Sequence, residues 1–260
     1  MNNTFNIQRF GLLLKRQWLE FGKIYLITLV VVFGVTVAFY GFNIFPLERF
    51  RGPHDLGFRE PLFVIFGFLF ITIIASSYFA HLGQKPKAII DLMIPASTFE
   101  KFLGAIIFTS LMSTISFLLI FYITDLAFIS YLKSNLTEVG AKEILFITEK
   151  EFISDFRELR FVYMLPLFVT SVFLLGSIYF NRFHYIKTAI SVMIFSGIWT
   201  YIIYNSGRFL FDNKILIHNE DGRPGWLERS YIEMYMILLL ALLTYIFWAI
   251  TYVRLKEKQV

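Results

Sequence analysis

The sequence contains no cysteine, and only 17% of its 260 residues are charged. The absence of cysteine excludes disulfides, thiolate metal sites and a cysteine nucleophile. Three catalytic signatures are missing as well: the Gly-x-x-x-x-Gly-Lys-Ser/Thr phosphate loop, His-Glu-x-x-His and Gly-x-Ser-x-Gly. The four histidines are scattered without metal-ligand spacing. We therefore expect no metal site, no cofactor in this chain and no enzymatic activity of the chain by itself.

Apolar residues dominate what is present. They make up 57% of the sequence, and the mean hydropathy is +0.65. A hydrocarbon layer ~30 Å thick needs roughly 20 apolar helical residues, and runs of that length recur along the chain. The predicted membrane spans are residues 24–43, 61–80, 103–124, 161–180, 185–205 and 231–253.

The predicted fold is all-α: a polytopic membrane protein with about six transmembrane helices and an N-terminal amphipathic elbow helix. A β-barrel would show alternating strands of ~10 residues, whereas the run Leu62 to Phe66 is apolar at every position. Six spans use about half of the chain, so we expect residues 1–260 to form a single transmembrane domain.

The number of basic residues does not decide the orientation of the chain in the membrane, but their distribution favours one orientation. With the N-terminus inside, the inside and outside segments carry 12 Lys and Arg residues each. The inside segments are shorter, and the outside loops pair their basic residues with Asp and Glu. The positive-inside rule then predicts that both termini are cytoplasmic. The net charge of +5 is spread over these loops, which argues against nucleic-acid binding.

The segment before the first span, residues 1–23, has apolar residues near helical spacing and cations elsewhere. This pattern predicts an interfacial elbow helix in which Arg9, Lys15, Arg16 and Trp18 face the headgroups of an anionic leaflet. An ordinary surface anchor and a helix that also contacts a partner protein both fit the pattern.

The segment between the second and third spans, residues 81–102, contains a proline followed by a capping pattern. Pro95 disfavours helix at Ile94, and Ser97 followed by Glu100 has the form of a capping box. The third membrane helix is therefore predicted to begin near Ser97. A plain helix start after a proline turn explains the same residues without any partner.

The layout resembles that of ABC-2 type permeases, the membrane subunits of ATP-binding-cassette exporters. The shared features are an amphipathic N-terminal elbow, six spans, a large external segment before the sixth span, and a cytoplasmic loop with Ile94-Pro95-Ala96-Ser97 and Glu100-Lys101. The resemblance implies that this loop docks on a separate ATPase subunit. The implied coupling residues are Lys87, Asp91, Ile94, Pro95, Ala96, Ser97, Thr98, Phe99, Glu100 and Lys101.

The same resemblance implies the partners and the location. Two copies of an ABC ATPase would bind ATP and Mg, and a second copy of the chain or a sister permease would complete the pathway in the lipid membrane. The expected location is the cytoplasmic (inner) membrane of a bacterium. A hydrophobic or amphipathic substrate would be exported.

Two further predictions concern the external side. Asp125, towards the outer end of the third span, is the best candidate for a charge that lines a pathway, although it could also reach the headgroups. The external segments 131–160 and 206–230 are longer than connections require. An amphipathic surface helix is predicted in the first, and a turn at Asn219 to Gly225 in the second.

Two classes of function fit these observations. One is the exporter subunit described above. The other is an integral membrane protein without transport activity, such as an assembly scaffold, a sensor or an immunity factor, that binds partners through its helices.

Overall fold

A computed structural model of the chain describes residues 5–45, 56–83, 89–91, 93–135, 160–211 and 226–258. Over these residues the chain is helical and contains no strand. Short 3₁₀ turns cover Ala80–Gly83 and Arg160–Met164. The helices are α1 (Ile7–Ile44), α2 (Arg59–Tyr78), α3 (Thr98–Asn135), α4 (Leu165–Tyr179), α5 (His184–Phe211) and α6 (Trp226–Lys258).

In the described part of the chain, six helices are long and apolar enough to cross a membrane, so the protein is an integral membrane protein. This confirms the predicted fold class. Several helices continue past the predicted spans, because hydropathy marks only the part of a helix that lipid surrounds. With 38 residues each, α1 and α3 are ~57 Å long at ~1.5 Å per residue, nearly twice the hydrocarbon thickness.

Contacts between helices define two levels about one hydrocarbon thickness apart. At one level the Tyr78 ring lies 5.3 Å from Phe21 and 6.1 Å from Phe108. At the other, Tyr40 and Arg59 both contact Asp125. The 20 residues from Arg59 to Tyr78 correspond to a rise of ~28 Å, which matches the ~30 Å hydrocarbon core.

We call the two sides of the bundle the loop end and the far end. The loop end carries the start of α1, the α2–α3 loop, the α4–α5 turn and the end of α6. The far end carries Arg59 and Asp125. From Phe21 towards its N-terminus, α1 extends ~21 Å beyond the hydrocarbon on the loop-end side.

The amphipathic N-terminal segment differs in one respect from the elbow that the sequence predicts. It is continuous with the first span in the single helix α1, which begins after the N-cap Asn6 and runs without interruption to Ile44. No proline occurs between these residues to break the helix. Its inward face is buried at Phe10 and Leu13 against the bundle.

Aromatic side chains fill the core between α1, α2 and α3. Tyr25, Tyr40 and Phe70 are almost fully buried, and Phe63 contacts Phe121 with ring centroids 4.9 Å apart. α2 is the central helix: half of its span is buried, against 6% for α5. Most of the α5 surface is therefore left for lipid or another chain.

Two close approaches between helices depend on glycine. A Cβ on Gly67 of α2 would lie 2.7 Å from the Phe117 ring of α3, and a Cβ on Gly176 of α4 would overlap the Thr188 hydroxyl of α5. Small residues at such crossings let membrane helices pack at short range.

Within α3, residues Ile107–Met112 form a π-helix. The Tyr25 hydroxyl of α1 lies 3.0 Å from the carbonyl of Met112, the last residue of this segment, and 2.7 Å from Ser116 Oγ in the following turn. A π-segment leaves carbonyl groups without their usual helical partner. The tyrosine supplies a donor there, where lipid supplies none.

The external segments are described only in part. α3 extends into the first one as far as Asn135, and α5 extends into the second as far as Phe211. The amphipathic helix is predicted within residues 132–160, of which 136–159 lie outside the described residues, as does the predicted turn (219–225).

Candidate functional site

The loop end contains most of the residues that the sequence singles out, and it is organised around the first turn of α3. Ser97 is the N-cap: its side chain accepts a hydrogen bond from the Glu100 backbone N–H at 3.2 Å. Glu100 in turn accepts from the Ser97 N–H at 2.9 Å. This is the predicted capping box, and it fixes the start of α3 at Thr98.

The same Glu100 carboxylate binds the start of α1, 91 residues away in sequence. Arg9 donates to it from Nε at 2.9 Å and from Nη2 at 2.7 Å, and the Asn6 backbone N–H donates at 3.0 Å. Glu100 is fully buried, whereas 30% of the Arg9 side chain remains exposed. One carboxylate thus joins the N-termini of α1 and α3.

The next residue, Lys101, holds the loop itself. Its Nζ donates to the Asp91 carbonyl at 2.6 Å and to Asp91 Oδ2 at 2.9 Å, with 5% of the lysine side chain exposed. His81 Nε2 lies 3.9 Å from Asp91 Oδ1. Burial acts to raise the pKa of Asp91, but the neighbouring His81 and the hydrogen-bonded Lys101 outweigh burial and lower it. Because a lowered carboxyl pKa preserves the charge down to acidic pH, this ion pair is intact near neutrality.

Glu100 and Lys101 therefore fasten the α2–α3 loop in two directions, to α1 and to the loop's own helical turn. That turn, closed by a 3.2 Å bond from the Met93 N–H to the Ile89 carbonyl, comes just before Pro95. Removing one partner of a buried pair leaves an uncompensated charge and is strongly destabilising. The loop is consequently held as part of the bundle.

Apolar side chains of this region point outward. We call Phe5, Ile89, Ile90, Met93 and Phe99 the loop-end apolar patch; all five are about half exposed or more, and Met93 reaches 77%. The Phe5 and Phe99 rings are in edge contact at 6.3 Å, which links the α1 side of the patch to the α3 side. Exposed apolar side chains grouped at one end of a protein indicate a site of protein or membrane contact.

The remaining predicted coupling residues differ in how exposed they are. Pro95 is exposed, whereas Ile94, Ala96 and Thr98 are partly exposed. Lys87 lies outside the described residues.

The four predicted headgroup-facing residues of the elbow have different surroundings. Lys15 is exposed, and Arg16 forms a surface ion pair with Glu20 at 2.9 Å. Trp18 instead stacks on Phe108 of α3, with ring centroids 6.2 Å apart. Arg9 binds Glu100, as described above.

Asp125 lies at the far end and is paired. Arg59 of α2 binds its two carboxylate oxygens from Nε at 2.7 Å and Nη2 at 2.5 Å, and Tyr40 of α1 donates at 2.6 Å. Arg59 and Asp125 are 7% and 18% exposed. These contacts join α1, α2 and α3 and give Asp125 a packing role, while its place in a pathway stays a prediction.

Sequence reasoning predicts that Arg9 faces the headgroups, whereas the structure pairs it with Glu100. His81 and Arg59 are contributors that sequence reasoning does not single out. In the sequence, Arg59 is only one basic residue of a predicted outside loop. A signal was available for it, because the start of the second span and the end of the third must lie on the same side of the membrane. The partner of Glu100, Arg9, is also remote in sequence. Because the capping box already explains a glutamate at this position, the sequence gives no indication of a second partner.

No family model, no curated protein and no solved structure matches this chain.

Proposed function

We propose that the chain is the membrane-spanning permease subunit of an ABC exporter of the ABC-2 type, driven by a separate ATPase that docks at the loop end. The substrate class would be hydrophobic or amphipathic, and two permease subunits would form the pathway. Both termini would be cytoplasmic, in the inner membrane of a bacterium.

One observation carries the proposal: the α2–α3 loop exposes apolar side chains outward while its buried charges tie it to two membrane helices. Met93 and Phe99 are available to a partner, and Glu100 beside them is bonded to α1 through Arg9. A force applied to the patch would reach α1 and α3 together. A loop that served only as a connection would need neither feature.

The position of the patch supports a protein partner over lipid. Phe99 lies nine residues before Phe108 on α3, or ~13 Å along the helix from the hydrocarbon boundary. Apolar side chains that far outside the hydrocarbon are exposed to water unless another protein covers them. Since the chain has no nucleotide-hydrolysing motif, an energy source would have to come from such a partner.

Co-purification tests the proposal. From membranes with native expression of its partners, the tagged chain should retain a polypeptide with a Gly-x-x-x-x-Gly-Lys-Ser/Thr motif in near-stoichiometric amount. Met93→Ser combined with Phe99→Ser should lower its recovery at least tenfold, because the central apolar contacts of an interface dominate its affinity.

The matched control is Tyr163→Ser, which changes a side chain of similar exposure at the far end. It should leave recovery unchanged. If no such ATPase is retained by the unmodified chain, the exporter proposal fails and a scaffold, sensor or immunity function becomes the better explanation.

The proposed orientation predicts a labelling pattern that the cysteine-free sequence makes easy to read. Lys15→Cys at the loop end should react with a membrane-impermeant maleimide only after the cytoplasmic membrane is opened. Ser134→Cys at the far end should react in intact spheroplasts. Both positions are exposed. The reverse pattern would place the loop end outside and exclude a cytoplasmic ATPase there.

A further inference from the structure

A cationic region lies at the loop end and is formed by residues other than those of the patch. It consists of the α4–α5 turn with the start of α5, residues 179–187, and the last part of α6, residues 250–258. These two segments contain five Lys and Arg residues and one Glu. Lys258 holds them together, because its Nζ donates to the Ile178 carbonyl at 2.6 Å and lies 3.4 Å from Asn181 Oδ1.

Two of the cations lie over neighbouring aromatic rings. The Arg254 guanidinium is 5.5 Å from the Tyr179 ring centroid, and Lys187 Nζ is 5.8 Å from that of Phe180. The two rings are themselves 5.3 Å apart. Cations and aromatic rings together are typical of the membrane–water interface.

Carboxylates neutralise little of this charge. Glu257 accepts from Arg254 at 2.8 Å, in an exposed pair. Among the described residues, neither Arg182 nor Lys187 forms an ion pair with a carboxylate. The N-terminus of the 28-residue helix α5 begins at His184 and adds the positive end of its dipole. The region therefore presents an uncompensated positive field to an anion.

The surface next to these cations is apolar. Phe183 and Ile186 on α5 and Val253 on α6 are each more than half exposed. Phe183 lies on the turn itself with a positive φ of 55°, which is an uncommon conformation for a non-glycine residue. Cations beside exposed apolar side chains suit a ligand with a charged head and an apolar tail.

We propose that Arg182, Lys187 and Arg254 form a binding site for the phosphate of an anionic phospholipid headgroup, with the acyl chains lying along α5 and α6. Basic pockets between membrane helices at the interface bind such headgroups. The site uses none of the residues of the loop-end apolar patch and does not depend on the transport proposal.

Native mass spectrometry of the purified full chain in detergent tests the site with two lipids, phosphatidylglycerol and zwitterionic phosphatidylcholine. We expect tighter binding of phosphatidylglycerol. In the triple variant Arg182→Gln, Lys187→Gln, Arg254→Gln its affinity should fall by about a hundredfold, because each Lys or Arg near the surface contributes ~1 kcal/mol. The single variant Arg182→Gln, on an exposed turn, should lower it about fivefold if the triple variant does not fold.

The matched control is Arg208→Gln, which removes an exposed cation that lies 5.7 Å from the Tyr204 ring centroid near the other end of α5. It should leave phosphatidylglycerol binding unchanged. Three results would each overturn the proposal: equal binding of the two lipids, equal loss in the control, or displacement of the lipid by an equimolar amount of soluble glycerol phosphate. The last would show that the site serves a free anion.

Discussion

Asp125→Ala should lower the free energy of unfolding by about 3–5 kcal/mol, the largest effect expected for a single substitution in this protein. Arg59, with 7% of its side chain exposed, would keep its charge at the edge of the hydrocarbon after losing a bidentate partner. Tyr40 would lose its acceptor at the same time. The measurement is equilibrium unfolding of the purified chain in mixed micelles, followed by helical circular dichroism.

Two variants separate loss of a buried partner from loss of charge in general. Glu257→Ala breaks an exposed pair with Arg254 and should change stability by less than about 0.5 kcal/mol. Combining Asp125→Leu with Arg59→Met removes both charges and should recover most of the loss, as apolar replacements of buried pairs do. Equal destabilisation in the double variant and in Asp125→Ala would contradict the ion-pair explanation.

A substitution of Asp125 distinguishes a packing role from a role in a transport pathway. Asp125→Asn keeps the shape of the side chain and its acceptor oxygen but removes its charge. If Asp125 only joins α1, α2 and α3, a functional transport assay should show activity in proportion to the amount of folded protein. A loss of transport per folded molecule would instead support the pathway hypothesis.

The parts of the fold that the sequence predicts are those with local physical causes. Runs of about 20 apolar residues predict membrane helices, and the Ser97 to Glu100 spacing predicts where α3 begins. The sequence does not predict that the N-terminal amphipathic segment and the first span form one continuous helix, α1. Its first 14 residues are amphipathic, which marks an interfacial helix equally well whether that helix bends away or continues straight into the span.

The pairing of charges could not be predicted in the same way. Arg9 and Glu100 are 91 residues apart, and Arg59 and Asp125 are 66 apart. Their contacts depend on how helices pack in three dimensions, which periodicity does not encode. Topology alone restricts the choice, since partners must lie at the same end of the bundle. For Asp125, this restriction leaves the 12 basic residues of the outside segments, and Arg59 is one of them.

The two buried carboxylates act on the same pair of helices. Glu100 joins α3 to α1 at the loop end, and Asp125 joins α3 to α1 and α2 at the far end. Because helices are stiff along their axes, two such attachments restrict tilting of α1 against α3. A partner that displaces the α2–α3 loop would then move these helices as a unit.

Glu100→Ala should lower the free energy of unfolding by about 2–3 kcal/mol, because two backbone N–H groups lose their acceptor and α3 loses its capping box. The effect should be smaller than that of Asp125→Ala, since Arg9 is partly exposed and water can solvate its charge. The matched control is Glu20→Ala, which removes the exposed acid paired with Arg16 on the same helix and should change little.

Glu100→Gln tests whether the link between Glu100 and α1 matters for function. The amide keeps one acceptor oxygen but loses the charge that binds Arg9 at two positions, so the link to α1 is weakened while the loop-end apolar patch is left in place. If the proposed ATPase docks on that patch, this variant should still co-purify with it, and the permease should no longer stimulate ATP hydrolysis to the normal extent. Loss of docking in Glu100→Gln, with stimulation unchanged for the complexes that do form, would show that Glu100 shapes the docking surface and does not transmit force to α1.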